Sequence, residues 1–386
     1  MTSKARFLAA LERRVPDRLP VTTHHVMDYF LKKYMPGASS EEFFDAFGLD
    51  PVQWLAAQKP DWARGHFYDP GQPEPGPRDP RRVVSDDWRI EAEKVPGPEY
   101  ATVRYKFVTP RKTLTTVLQS SEVTSWITER LVKEKSDIDV IGESVTAPLC
   151  DVDEVNRVAA AYGERGLLRG TVCYFDVYGQ PGCWQDAACL FGIENLILET
   201  FDDPGWVHAF LKILFERKKI FVRSMSDARF DLVEHGGGDA SSTVISPRIF
   251  DEFVAPYDAE LIRIAHEAGQ RIVYHTCGGM MPLLERIADM KPDAMETFTP
   301  PSMGGDTDLR EAKRRVGGRV CMIGGFDQYH FFTGGKPEDT CREVRRCFEE
   351  AGAGGGFILS PSDHFFDAEL ELIRAYADEA RRCTYG

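Results

Sequence analysis

From about residue 167 the chain alternates short apolar runs with longer stretches whose apolar residues recur at helical spacing. The apolar runs are 167–175 (LLRGTVCYF), 230–235 (FDLVEH), 271–276 (RIVYHT), 293–298 (DAMETF), 319–325 (RVCMIGG) and 355–362 (GGFILSPS). Short apolar runs of this kind, bounded by loops, predict buried strands. The intervening stretches predict helices. In 246–269, Phe250, Phe253, Val254 and Tyr257 fall at helical spacing, Ser246-Pro247 supplies an N-cap and a first-turn proline, and Gly269 closes the far end. Residues 281–290, 306–318, 337–352 and 368–383 follow the same scheme.

Strict strand–helix alternation implies a parallel sheet, either doubly wound or closed. No G-x-G-x-x-G opens a helix, and chemistry-bearing residues recur at the ends of many strands rather than at one switch point. That distribution predicts a (β/α)8 TIM barrel with its site at the C-terminal mouth, the first strand lying in 17–25 (DRLPVTTHH). Residues 60–130 break the rhythm: a Pro/Gly-rich loop at 69–82 precedes WRIEAEKV, TVRYKFV and LTTVLQS, which read as β-hairpin strands. The expectation is a single domain over 1–386, with 60–130 inserted over the barrel mouth.

Composition narrows the function. The chain has 386 residues, 42% hydrophobic and 28% charged, enough for a large core, and its formal net charge is −14. Such an acidic protein lacks the basic surface that nucleic acid or anionic membranes require. No run of about 18 apolar residues offers a membrane span, and the N-terminus carries no secretory pattern. Nine irregularly spaced cysteines predict free thiols in a reducing cytoplasm. A monomer or homodimer is expected.

The strand ends gather Thr22–His25, Tyr174–Asp176, Glu234-His235, His275–Cys277, Glu296, Gly324–Asp327 and Ser360–His364. His275 and Cys277 stand two apart in YHTCGG, so in a strand both face one way. Alone they are two arms of a metal site or two ordinary strand-end residues. With Glu234 on the preceding strand they make a three-ligand catalytic zinc site that keeps one position open. Asp363 or His364 is a possible further ligand, or a partner fixing the His275 tautomer. Cys321 is the rival thiolate, but it lies near the start of its strand and reads as core. His24 and His25 are expected to face substrate; Asp176 and Tyr178 orient substrate or shape a turn. Glu234, Asp363 and His364 are the catalytic candidates.

With these residues in view, the sequence resembles the uroporphyrinogen decarboxylase superfamily. The likeness lies in RFLAALERRVPDRLPV, in the long segment from ISPRIFDEF through YHTCGG to DAME, and in GGFILSPSDH. It implies a TIM barrel and two branches of activity. The decarboxylases have an R-Q-A-G-R segment after the first strand, where this chain reads TTHHVMDYFLKKYM without arginine. The other branch comprises zinc-dependent methyltransferases that exchange methyl groups with corrinoid (cobalamin) proteins and have H-x-C followed by a distant cysteine. His275 and Cys277 match the first two positions, and Asp363 stands at the third. A hard carboxylate there makes zinc more Lewis-acidic. The resemblance therefore implies methyl transfer from a small methoxylated or methylated donor to a corrinoid protein. The alternatives are porphyrin-type decarboxylation and a non-catalytic corrinoid- or tetrapyrrole-binding protein.

Overall fold

The computed structural model describes residues 1–76, 79–97 and 99–385; Pro77 and Arg78 of the predicted loop, Pro98 and Gly386 lie outside the described residues. The strands of the two main sheets run in chain order as β1 (Val52–Trp54), β2 (Arg89–Lys94), β3 (Ala101–Val108), β4 (Thr113–Ser120), β5 (Ser125–Glu129), β6 (Leu167–Thr171), β7 (Leu232–Gly236), β8 (Ile272–His275), β9 (Ala294–Thr297), β10 (Cys321–Phe326) and β11 (Phe357–Pro361). Strands β1 and β6 to β11 form one parallel sheet in that order. Every strand predicted from residue 167 onward is present. β1 is not foreshadowed by any periodicity.

The barrel is closed by the segment expected as the first strand, though it forms no strand of its own. Val21 bridges Leu359 in parallel, with Thr22 N donating to Leu359 O and Leu359 N to Pro20 O, both at 2.9 Å. On its other side, Asp50 N donates to Val21 O at 2.8 Å, while Val21 N donates to the Asp50 side chain at 3.0 Å. Pro20 has no N–H and Asp50 uses a carboxylate in place of a backbone acceptor, so pairing stops at one bridge. Arg6 and Arg18 also donate to Asp50, at 2.6 and 2.9 Å.

Helix α1 (Ser3–Leu11) is capped by the Thr2 side chain. It packs Phe7, Ala10 and Leu11 against Leu167, Leu232, Val273 and Ala294, which open their strands and form the barrel floor. Burying a Phe or Leu side chain of this kind contributes about 1.5–3 kcal/mol. Cys321 belongs to the same floor and is fully buried, as its position near the strand start predicts.

At the other end, α2 (Asp28–Tyr34) and α3 (Ser40–Phe47) wall the mouth. A Ser39/Glu42 capping box starts α3, and Phe43, Phe44 and Phe47 bury its apolar face. The inserted residues form an antiparallel sheet, β2-β3-β4-β5, with one strand more than the three read from the sequence. Two predicted elements end differently for physical reasons. The run 167–175 leaves the sheet after Thr171, because side chains of helix Pro204–Arg223 take its carbonyls: Lys218 Nζ donates to Cys173 O at 2.7 Å and Arg217 Nη1 to Tyr174 O at 2.5 Å. The long helix of 246–269 is broken by a π-helical turn at Phe250–Val254 before Ala255–Glu267. Pro256 follows it and cannot donate an α-helical bond backward.

Candidate functional site

Strand register sets the level of the site. Thr171 pairs with Glu234 and His275 with Glu296, so the inward carboxylates and imidazole share the upper layer of the barrel. Arg169, on β6, rises into the same layer and is 4% exposed. Its guanidinium donates to Glu234 Oε2 at 2.6 Å, to Glu296 Oε2 at 2.9 Å, and by a shorter contact to Glu296 Oε1. The same guanidinium lies 4.3 Å from the centre of the Trp54 ring, a cation–π contact. Trp54 Nε1 in turn donates to His24 O at 2.9 Å.

The two carboxylates differ in environment. Burial alone would raise both, but Glu296 receives two donors from Arg169 and one from His275, and is held down at about 2. Burial dominates at Glu234, which has the single Arg169 contact, and its carboxyl is raised. His24 lies 3.7 Å from Glu296 and 3.9 Å from Glu234. Burial, reinforced by the nearby Arg169 charge, lowers its imidazole well below the ordinary range.

His275 joins this layer to the mouth. Its Nδ1 lies 2.9 Å from Glu296 Oε1 and its Nε2 lies 3.1 Å from Cys277 Sγ. When the imidazole is neutral, an ionised Glu296 selects the tautomer with the proton on Nδ1, which leaves the Nε2 lone pair facing Cys277 Sγ. Burial lowers the imidazole's proton affinity, but Cys277 and Glu234 override it and raise it. The backbone permits this packing because Gly236, at φ +103°, carries the chain over His275; a Cβ there would sit 2.5 Å from His275 O.

These donors fit a borderline-soft dication. Zinc bonds imidazole nitrogen at about 2.0–2.1 Å and thiolate sulfur at about 2.3 Å, so one ion can touch two atoms 3.1 Å apart. Ligand atoms of His24, Glu234, His275 and Glu296 also lie within 4.8 Å of one another, and those of His24, His25 and His364 form a second such cluster. Arg169 already pairs with both carboxylates of the first cluster.

The structure separates the remaining predicted residues. His24, His25 and His364 line a cavity of 880 Å3 at the mouth, together with Trp54, Tyr29 and the turn before β5. Asp363, expected as a ligand or acid, is exposed, and its Oδ1 accepts from the backbone N of His364 at 2.6 Å. Adjacent loop residues point apart, so only His364 turns inward. Asp176 is buried away from the cavity lining, accepting from Trp88 Nε1 at 2.8 Å and Arg217 Nη2 at 2.5 Å. It anchors the inserted sheet to the barrel, with the Trp88 and Phe107 rings each 6.1 Å from Phe175. Tyr178 donates to Ser125 O at 3.1 Å and serves the same junction. Sequence reasoning missed Arg169, whose signal was a lone charge inside the apolar run LLRGT. It also gave no role to Glu296, and Trp54 left no signal.

A parallel barrel with imidazole, thiol and carboxylate at the C-terminal ends of its strands defines a TIM-barrel architecture. The uroporphyrinogen decarboxylase (URO-D) family profile matches residues 180–383, more than half of the chain, and the chain belongs to that family. It is 24% identical over 238 residues to a methylated-thiol–coenzyme M methyltransferase of Methanosarcina mazei, a match covering 61% of this chain and 60% of that protein. It is 27% identical over 165 residues to uroporphyrinogen decarboxylase of Neisseria meningitidis serogroup C, covering 42% of this chain and 43% of the relative. The chain thus spans less than two thirds of either relative. A solved methyltransferase from Methanosarcina mazei superposes with TM-score 0.64 over 99% of both chains at 14% identity, a likeness of fold. Among the described residues, no helix is long and apolar enough to cross a membrane.

Proposed function

We propose that this chain is a zinc-dependent methyltransferase, taking a methyl group from a small methoxylated or methylated compound at the barrel mouth and delivering it to a corrinoid protein in the cytoplasm. The observation that carries the reading is the single imidazole held between Glu296 and Cys277, at 2.9 and 3.1 Å. His275 and Cys277 would hold the zinc. Glu234 clusters with His275 within 4.8 Å, but the three do not form one such cluster with Cys277, so its carboxylate would have to move to complete the set. When bound, zinc supplies Lewis acidity toward the heteroatom that loses the methyl group. Glu296 keeps the Nδ1 proton on His275, and Arg169 keeps Glu296 ionised. The 880 Å3 cavity offers room for a small aromatic or aliphatic donor between Trp54 and the inserted sheet, which we take to cover the mouth. Its described lining meets the upper layer through His24 and does not include His275 or Cys277.

The relatives support both methyl transfer and decarboxylation. The cavity favours the first: among its described lining residues none is Lys or Arg, whereas Asp28, Glu41, Asp79 and Glu122 are present. Among the described lining residues, a polycarboxylate porphyrinogen would meet no lysine or arginine.

Cobalt(II) loading tests the reading. The expected result is a thiolate-to-cobalt charge-transfer band, absent in Cys277→Ala, together with methylation of cobalt(I) cobalamin by at least one methoxylated or methylthio donor that the variant does not support. No such band in the wild type, full methyl transfer by Cys277→Ala, or chelator-insensitive turnover of uroporphyrinogen would overturn it.

A further inference from the structure

The second imidazole cluster lines the cavity proposed for the donor and shares His24 with the first cluster, but no step of that chemistry uses it as a metal site. His24 and His25 follow the barrel-closing segment at Val21, and His364 follows β11, the strand that Val21 bridges. Closure of the barrel therefore brings the three rings together from opposite ends of the sequence. Ring centroids are 4.4 Å apart for His24–His25, 5.0 Å for His25–His364 and 5.4 Å for His24–His364. One nitrogen from each lies within 4.8 Å of the others.

Two of the rings meet Trp54 outside the cluster. His25 stacks on the indole at 4.3 Å, and His24 meets it edge-on at 5.4 Å. All three histidines line the 880 Å3 cavity, whose charged described walls are Asp28, Glu41, Asp79 and Glu122. An acidic enclosure raises the local concentration of cations. Three imidazoles with an open side match the ligand set of a three-coordinate protein site for a borderline dication.

We propose that His24, His25 and His364 form a second metal site, binding a divalent transition ion such as zinc or cobalt(II) through nitrogen alone, with its open position toward the cavity. The exogenous ligand there would be an oxygen donor, water or the carboxylate or phenolate of a cavity occupant. The nitrogens lie within 4.8 Å of one another, and metal binding would draw them to the roughly 3.3 Å separation of a tetrahedral site. The site does not depend on methyl transfer.

Metal stoichiometry by elemental analysis after cobalt(II) loading and gel filtration tests it on the full chain. Wild type is expected to retain two equivalents; Cys277→Ala one, without the thiolate band; His25→Ala/His364→Ala one, with the band intact. His364→Gln, a milder change on a half-buried loop residue, should weaken the nitrogen-only site at least tenfold and guards against a folding defect in the double variant. If histidine variants of native circular dichroism and unchanged Tm bind as much cobalt as wild type, the three-histidine site is overturned. A wild type with no thiolate band that still loses one equivalent in His364→Gln would keep this site and remove the His275–Cys277 reading.

Discussion

Floor and mouth of the barrel are built by the same four strands, two residues apart. Leu167, Leu232, Val273 and Ala294 face inward below; Arg169, Glu234, His275 and Glu296 face inward above. Both layers are buried, so burial does not separate stability from chemistry here. What separates them is whether a side chain can satisfy its neighbours without polar partners. The floor closes on itself with apolar contact alone, whereas the upper layer holds only because one guanidinium is shared by two carboxylates.

The largest expected effect therefore comes from breaking the upper layer. Arg169→Met leaves two carboxylates facing each other in a buried site and should cost about 3–5 kcal/mol in urea unfolding. Adding Glu234→Gln and Glu296→Gln should recover part of that loss; no recovery would mean Arg169 acts through packing. In the floor, Leu232→Ala should cost about 3 kcal/mol by leaving a cavity, with metal content unchanged.

The two layers also place thiols in opposite roles. Burial pushes the Cys321 thiol up to about 12, so it should resist alkylation in the folded protein. Cys321→Ala should lower stability by about 1 kcal/mol and leave cobalt uptake unaffected. If that variant lost the thiolate band, the assignment of floor and mouth would have to be exchanged.

The smallest effect lies outside both layers. His266 is raised above its ordinary 6.5 chiefly by its contact with Asp293 at 2.9 Å. A raised folded value gives stability that is complete below 6.5 and is lost as pH rises through the folded value. The Tm difference between wild type and His266→Gln should then be larger at about pH 5.5 than at about pH 9. The pair is partly exposed, so the gain is small, and equal differences at both pH values would dismiss it.

The barrel strands were legible because each buried run is apolar through its length, and His275 and Cys277 because they stand two apart at a strand end. β1 was hidden because three residues carry no period. Arg169 was readable only by asking which acids could accompany a charge into LLRGT, and those acids lie on other strands. For Asp176, read as orienting substrate or shaping a turn, and for Asp363, read as a ligand or acid, the sequence left the direction open for one reason: a carboxylate in a loop has no periodicity to say which way it points. Asp176 turns toward Arg217, and Asp363 turns out to solvent.

Barrel closure has a consequence for how the protein is made. The Tyr376 hydroxyl donates to Thr22 O across 354 residues of sequence and also to Leu359 O, at 2.9 and 3.2 Å. During synthesis the segment at Val21 emerges long before its partner strand β11. Until then the nascent sheet has two open edges, and its floor is exposed along one side. Contacts this distant form slowly and leave a partly built sheet open to misassociation. The interval between translating Val21 and translating Leu359 is thus the period in which the sheet cannot close.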